Sequence, residues 1–124
     1  MTFSGAGATV IVADDDALIR AVMRRALSRR GLVVVEATDG ASALAAAARH
    51  PVDLLITDAN MPGMPLEETL DAMARLGESP AVLIISGDSA ALMPRGVAFL
   101  AKPIELDPFL EAVDHLLEQR AAAK

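Results

Sequence analysis

Cysteine is absent from this chain, and so are tryptophan and tyrosine. Without thiols there can be no disulfide, no thiolate metal site and no sulfur nucleophile, and the lack suits a reducing cytoplasm. With only 3 phenylalanines, the core must be filled by aliphatic side chains and methionine. Positive charge is scarce: 11 Lys and Arg face 17 Asp and Glu, a net charge of -6. That balance opposes broad contact with a phosphate backbone, so no direct nucleic-acid binding is expected. No apolar run approaches the roughly 18 residues needed to span a bilayer. The opening "MTFSGAGATVIVADDD" has no basic segment ahead of its short apolar run, so neither a membrane anchor nor a signal peptide is expected.

What is present suits an ordered globule: 53% hydrophobic and 23% charged residues in a chain of 124, enough for one domain with one core. Two kinds of segment alternate. "TVIVA" (9–13), "LVVVE" (32–36), "VDLLIT" (52–57), "AVLIIS" (81–86) and "VAFLA" (97–101) are short, continuous and rich in β-branched residues. Such runs suit strands covered on both faces, as in a parallel sheet. Between them lie helical patterns at about 16–30, 39–50, 65–76 and 105–121. In the first, Leu18, Val22 and Ala26 beside Ile19, Met23 and Leu27 form an apolar stripe, with Arg20, Arg24, Arg25 and Arg29 opposite. In the last, Phe109, Leu110, Val113, Leu116 and Leu117 are the expected core. This alternation implies right-handed βαβ crossovers and an open, doubly wound α/β sheet. The interval "GDSAALMPRG" between the fourth and fifth strands leaves room for only a turn or two of helix. The expectation is one domain over 1–124, with its core at about 8–121, in the cytoplasm.

In an open α/β sheet, ligands gather at the carboxyl ends of the strands. There "VIVADDDALIR" places Asp14, Asp15 and Asp16 after the first strand, and Asp58 follows the third. Ser86 ends the fourth, and Lys102 with Pro103 follows the fifth. Two carboxylates about 4 Å apart repel by roughly 4 kcal/mol at an effective dielectric near 20. Several together must take up protons or find a cation, and Lys102 supplies only one positive charge. A hard divalent ion such as Mg²⁺ completes the balance, since it takes one or two carboxylates plus waters and phosphate oxygens. Asp16, at a strand-to-helix junction, reads as a helix N-cap instead.

These residues resemble the receiver domain of two-component response regulators over essentially the whole chain. The motifs that carry the likeness are "VIVADDDALIR", "EATDGASAL", "DLLITDANMPGM", "LIISGD" and "FLAKPIE". The resemblance implies a five-stranded parallel sheet of order 2-1-3-4-5, flavodoxin-like, with helices on both faces and a short or missing fourth helix. It implies Asp58 as phosphoryl acceptor, and Mg²⁺ held by Asp15, Asp58 and the backbone carbonyl of Asn60, with Asp14 helping directly or through water. Lys102 would bind a phosphoryl oxygen, and its bond to Pro103 is expected to be cis. Ser86 would hydrogen-bond the phosphoryl group, Phe99 would be the switching aromatic, and Asn60 and Asp88 would tune dephosphorylation. The donor would be a phosphohistidine on a sensor histidine kinase or a histidine phosphotransfer protein. The domain would catalyse only its own phosphorylation and dephosphorylation.

The chain departs from the family pattern in two places. Pro65-Leu66 stands where Asp-Gly is common, and the short interval before the fifth strand resembles receivers of hybrid kinases and some stand-alone receivers. Arg20, Arg24, Arg25, Arg29 and Arg30 read either as a docking face for the phosphodonor or as a solvated face. His50 and His115 read as exposed. Two rival functions stay open. One is a pseudo-receiver regulated by binding alone, which the acid, hydroxyl and ammonium set opposes. The other is a Mg²⁺-dependent phosphohydrolase, for which the chain lacks length for a substrate cap.

Overall fold

Val10, Ile11, Val12 and Ala13 are all fully removed from solvent, which only a strand with neighbours on both sides and layers on both faces achieves. In the computed structural model, which describes residues 7–77, 80–87 and 97–123, they belong to β1 (Thr9–Ala13). The elements that follow are α1 (Ala17–Arg29), β2 (Val33–Ala37), α2 (Gly40–Arg49), β3 (Leu54–Asp58), α3 (Leu66–Arg75), β4 (Ala81–Ser86), β5 (Val97–Ala101) and α4 (Leu106–Ala123). The strands are all parallel, in the order β2-β1-β3-β4-β5.

Because successive side chains on a strand point to opposite faces, β1 feeds two cores. Val10 and Val12 meet Met23 and Leu27 of α1 and Phe109, Val113 and Leu117 of α4. Ile11 and Ala13 meet Ala43 and Ala47 of α2 and Met73 of α3. Each large aliphatic or aromatic side chain buried this way contributes about 1.5–3 kcal/mol. The alanine-rich second layer lets α2 and α3 approach closely: a Cβ on Gly40 would overlap Thr69 Oγ1.

The expected elements recur with four corrections. Asp58 is the last residue of β3 rather than the residue after it, so its side chain alternates with the sheet's own. The apolar stripe of α1 divides. Met23 and Leu27 are buried, whereas Leu18 is 74% and Val22 55% exposed, because one row suffices to cover the sheet. β2 is an edge strand, and Val33 is exposed rather than covered on both faces. In the third helical pattern (65–76), where Leu66, Leu70, Met73 and Leu76 carry the apolar spacing, Leu76 falls just past α3 and is exposed, while Thr69 is buried. The unusual Pro65 is the N-cap of α3, with no side-chain cap bond, and Glu67 and Glu68 in the first turn suit the helix dipole. The interval expected to hold a short fourth helix falls at 88–96, outside the described residues.

Candidate functional site

The chain leaves β1 for β2 on one side and returns to β3 on the other, so the β1/β3 boundary is the point where strand order reverses. The crevice outside the carboxyl ends of those strands is where such sheets bind ligands. β1 delivers Asp14 there and β3 delivers Asp58, both buried. Carboxylate oxygens of Asp14, Asp15 and Asp58 lie within 4.8 Å of one another.

Each carboxylate is held differently. Asp58 Oδ1 accepts the Asn60 backbone N–H at 2.9 Å, and Asp58 Oδ2 accepts Lys102 Nζ at 2.6 Å. Asp14 Oδ1 accepts the Asp16 N–H at 2.8 Å. Asp14 Oδ2 is buried with no hydrogen-bond donor, and Lys102 Nζ stands 3.7 Å away. Asp15 is exposed at the rim. Asp16 stays out of the cluster and caps α1, accepting from Leu18 N at 2.9 Å and Ile19 N at 3.3 Å.

The electrostatics follow from this placement. Burial raises the Asp14 carboxyl above its ordinary value. The Asp16 hydrogen bond and Lys102 oppose the rise, while Asp58 and Asp15 add to it. Burial is the largest single influence on Lys102 and favours its neutral form, but the Asp58 hydrogen bond and the three carboxylates together outweigh it. Its pKa is therefore raised, and the ammonium stays charged. One ammonium faces three carboxylates, and one buried oxygen has no donor. These hard oxygen ligands fit a divalent cation of the Mg²⁺ type.

β4 and β5 complete the wall. Ser86 ends β4 fully buried, and its carbonyl accepts the Lys102 N–H at 2.9 Å, which ties the lysine to the sheet edge. The Lys102–Pro103 bond is cis. Phe99 is half-buried on β5 and pairs with Ile84, so Ser86, Ile84 and Phe99 share one face of the sheet. Asn60 is exposed beside Asp58. Asp88 lies outside the described residues. His50 and His115 are exposed.

Arg20 is not where the sequence places it. It is half-buried rather than on an outer arginine face. Its Nη1 donates to the Asp14 carbonyl at 2.8 Å, and its Nε meets Glu36 Oε1 at 3.3 Å. Sequence reasoning missed both Arg20 and Glu36 as parts of this region. A cation in the first turn of a helix, against the dipole, was the available signal.

A doubly wound sheet with an anionic, cation-demanding crevice at its strand reversal and a lysine reaching across it from the last strand defines the class of protein. The family model of the response regulator receiver domain matches residues 10–114, and the chain belongs to that family. It is 36% identical over 123 residues to the nitrate/nitrite response regulator protein NarP of Escherichia coli, covering 93% of this chain and 54% of that protein. It is 31% identical over 119 residues to the transcriptional regulatory protein KdpE of Mycobacterium tuberculosis, covering 92% and 53%. The chain thus spans about half the length of these curated relatives. Among solved structures, the receiver domain of the hybrid histidine kinase CckA is 34% identical with a TM-score of 0.78, covering 88% of this chain and 98% of that one. The chemotaxis protein CheY4 of Vibrio cholerae is 26% identical with a TM-score of 0.80, covering 90% and 99%. The chain is a receiver domain of the response regulator type, with the CheY-like fold. No helix among the described residues is long and apolar enough to cross a membrane.

Proposed function

We propose that this receiver takes a phosphoryl group from a phosphohistidine, on a sensor histidine kinase or a histidine phosphotransfer protein, onto Asp58, with Mg²⁺ as cofactor. The observation that carries the reading is the 2.6 Å contact of Lys102 Nζ with Asp58 Oδ2 beside a buried carboxylate oxygen that has no donor. An Asp58 oxygen attacks phosphorus, the P–N bond of the donor breaks, and its electron pair returns to the imidazole nitrogen, which takes up a proton. The product is an acyl phosphate. Such in-line transfer needs mainly positioning and charge neutralisation. Mg²⁺, held by Asp15, Asp58 and the Asn60 carbonyl with Asp14 directly or through water, would supply that neutralisation when bound.

The chain's own residues do the rest. Lys102 passes from Asp58 Oδ2 to a phosphoryl oxygen as charge moves onto the phosphoryl group. The Ser86 hydroxyl donates to a second oxygen, and Phe99 moves into the space that this change opens. Asn60 and Asp88 admit or orient water, so hydrolysis is fast and the signal brief. The domain acts only on itself. Residues 1–124 are read as one receiver domain, in the cytoplasm, where ATP is available to histidine kinases.

The donor's docking face is the outer side of α1. Leu18, Val22, Ile104 and Leu106 line an apolar groove of about 600 Å³, and Lys102 is also part of its wall. Arg25 and Arg29 flank the adjoining surface. An apolar groove that shares Lys102 with the acceptor site suits a helix that carries the phosphohistidine.

The test is incubation with acetyl phosphate and Mg²⁺, followed by intact mass measurement. One added phosphoryl group, lost in Asp58→Asn, is the expected result. An unlabelled protein under saturating Mg²⁺ would favour regulation by binding alone, and steady turnover of varied phosphoesters would favour a hydrolase.

A further inference from the structure

We infer that Arg20 is a positioning residue that holds the turn between β1 and α1, with Glu36 as its anchor, so that Asp14 and Asp15 meet the metal in a preset geometry. This rests on the reading of Asp14, Asp15 and Asp58 as a Mg²⁺ site.

Arg20 stands in the first turn of α1, where the helix dipole disfavours a cation, and its side chain is only 16% exposed. Neither helix stability nor solvation accounts for that place. Its contacts do. Nη1 reaches back past the helix start to the Asp14 carbonyl at 2.8 Å, and Nε meets Glu36 Oε1 at 3.3 Å. Glu36 is paired with Val12 in the sheet, one residue from the end of β2, so it is a fixed point. Its second oxygen is held by Arg24 Nε at 3.2 Å.

The polar atoms of Asp14 make the consequence plain. Its N–H donates to the Ala37 carbonyl at 3.1 Å, and its Oδ1 accepts the Asp16 N–H at 2.8 Å. Its carbonyl accepts Arg20. Only Oδ2 is left, and it is buried beside Lys102. The peptide plane joining Asp14 to Asp15 is thus set by Arg20, and both carboxylates project from the ends of that plane. A planar guanidinium can bridge two acceptors in fixed geometry, whereas a point ammonium cannot. Arg20 touches no ligand oxygen. It acts through the backbone that carries the ligands.

Mg²⁺ binding measured by calorimetry on the purified chain, alongside thermal unfolding without Mg²⁺, tests this. Arg20→Met keeps the aliphatic stem and its packing but removes the donors. Its Mg²⁺ dissociation constant should rise about 10-fold, the lower end for loss of a supporting partner. Arg20→Lys should fall between it and the wild type. Glu36→Ala should weaken binding in the same direction, and the Arg20→Met/Glu36→Ala double variant should be no worse than Arg20→Met. Asp58 labelling by acetyl phosphate in Arg20→Met should recover at saturating Mg²⁺, a split that a general loss of folding would not give. Arg75→Ala, which removes a cation from the last turn of α3, should leave the affinity unchanged. A folded Arg20→Met protein that binds Mg²⁺ as tightly as the wild type overturns the inference. A wild type that binds no Mg²⁺ overturns the site reading beneath it.

Discussion

Asp14 and Lys102 sit on opposite sides of one electrostatic imbalance, and their protonation gives it a pH signature. A carboxyl raised by burial binds more protons folded than unfolded between its ordinary value of 3.8 and its raised value. Stability therefore falls as pH climbs through that interval, and the cost is complete only once pH has passed the raised value. Lys102 has the opposite sign. Its raised pKa adds stability that is complete below 10.5 and is lost only as pH rises through the higher folded value. Asp14→Asn should thus raise the Tm of the metal-free protein at pH 7, by about 3–5 °C for each ~1 kcal/mol relieved. The gain should vanish below pH 3.8, and the stabilisation added by Mg²⁺ should shrink. Melting curves across pH, with and without Mg²⁺, check this; a lower Tm for Asp14→Asn at pH 7 would contradict it. At this scale the sequence was informative about which side chains carry charge chemistry. "DDD" after an apolar run separated Asp16 as a cap from its two neighbours, a local backbone matter. Arg20 was misread because its partners, Asp14's carbonyl and Glu36, are brought to it by strand pairing.

α1 shows what an element adds. Two apolar rows, 18/22/26 and 19/23/27, run along it about 100° apart, and periodicity alone treats them as one stripe. The sheet accepts only the second, so Leu18 and Val22 remain at the surface beside Leu106 of α4, at 74%, 55% and 52% exposure. That surface belongs to two helices, and neither segment announces it alone. Leu18→Glu should slow transfer from a phosphorylated histidine phosphotransfer protein by about 10-fold or more, since a single central apolar contact can carry ~1.4 kcal/mol or more. Labelling by acetyl phosphate, which needs no docking, should be unaffected. Equal slowing with both donors would place Leu18 in folding rather than docking. β2 teaches the converse. Its "LVVVE" reads as a buried strand, yet its position at the sheet edge leaves Val33 half exposed.

At the scale of the whole molecule, the question raised by the proposed function is how a phosphoryl group on Asp58 would reach another surface. Charge-assisted hydrogen bonds from Ser86 and Lys102 are worth roughly 1.5–3 kcal/mol each. Moving a two-state equilibrium from 1:99 to 99:1 needs about 5.5 kcal/mol. Two such bonds barely reach it, so both must act together. The register makes this possible: Ser86 and Phe99 share a sheet face, and the Ser86 carbonyl holds the Lys102 N–H at 2.9 Å. Ser86→Ala should leave Asp58 labelled while shrinking the phosphorylation-dependent amide shifts along β4 and β5. Full shifts in NMR spectra of that variant would remove Ser86 from the coupling.

The sequence by itself determined the alternation of strands and helices, the doubly wound class, and the acid, hydroxyl and ammonium set, because side-chain periodicity and local charge repulsion act within a few residues. The strand bounds came within about two residues, and the four helices of the described residues stand where their apolar spacing put them. Only the tertiary structure decided which row of α1 faces the sheet, that Asp58 lies within β3, and that Arg20 grips the Asp14 carbonyl instead of facing outward. Those outcomes depend on which strands become neighbours. Parallel pairing of β1 with β2 and β3 brings Glu36 and Asp58, 22 and 44 positions from Asp14, to the same end of the sheet, and the fifth strand brings Lys102 across another 44. Their energies exist only once the sheet has closed that distance.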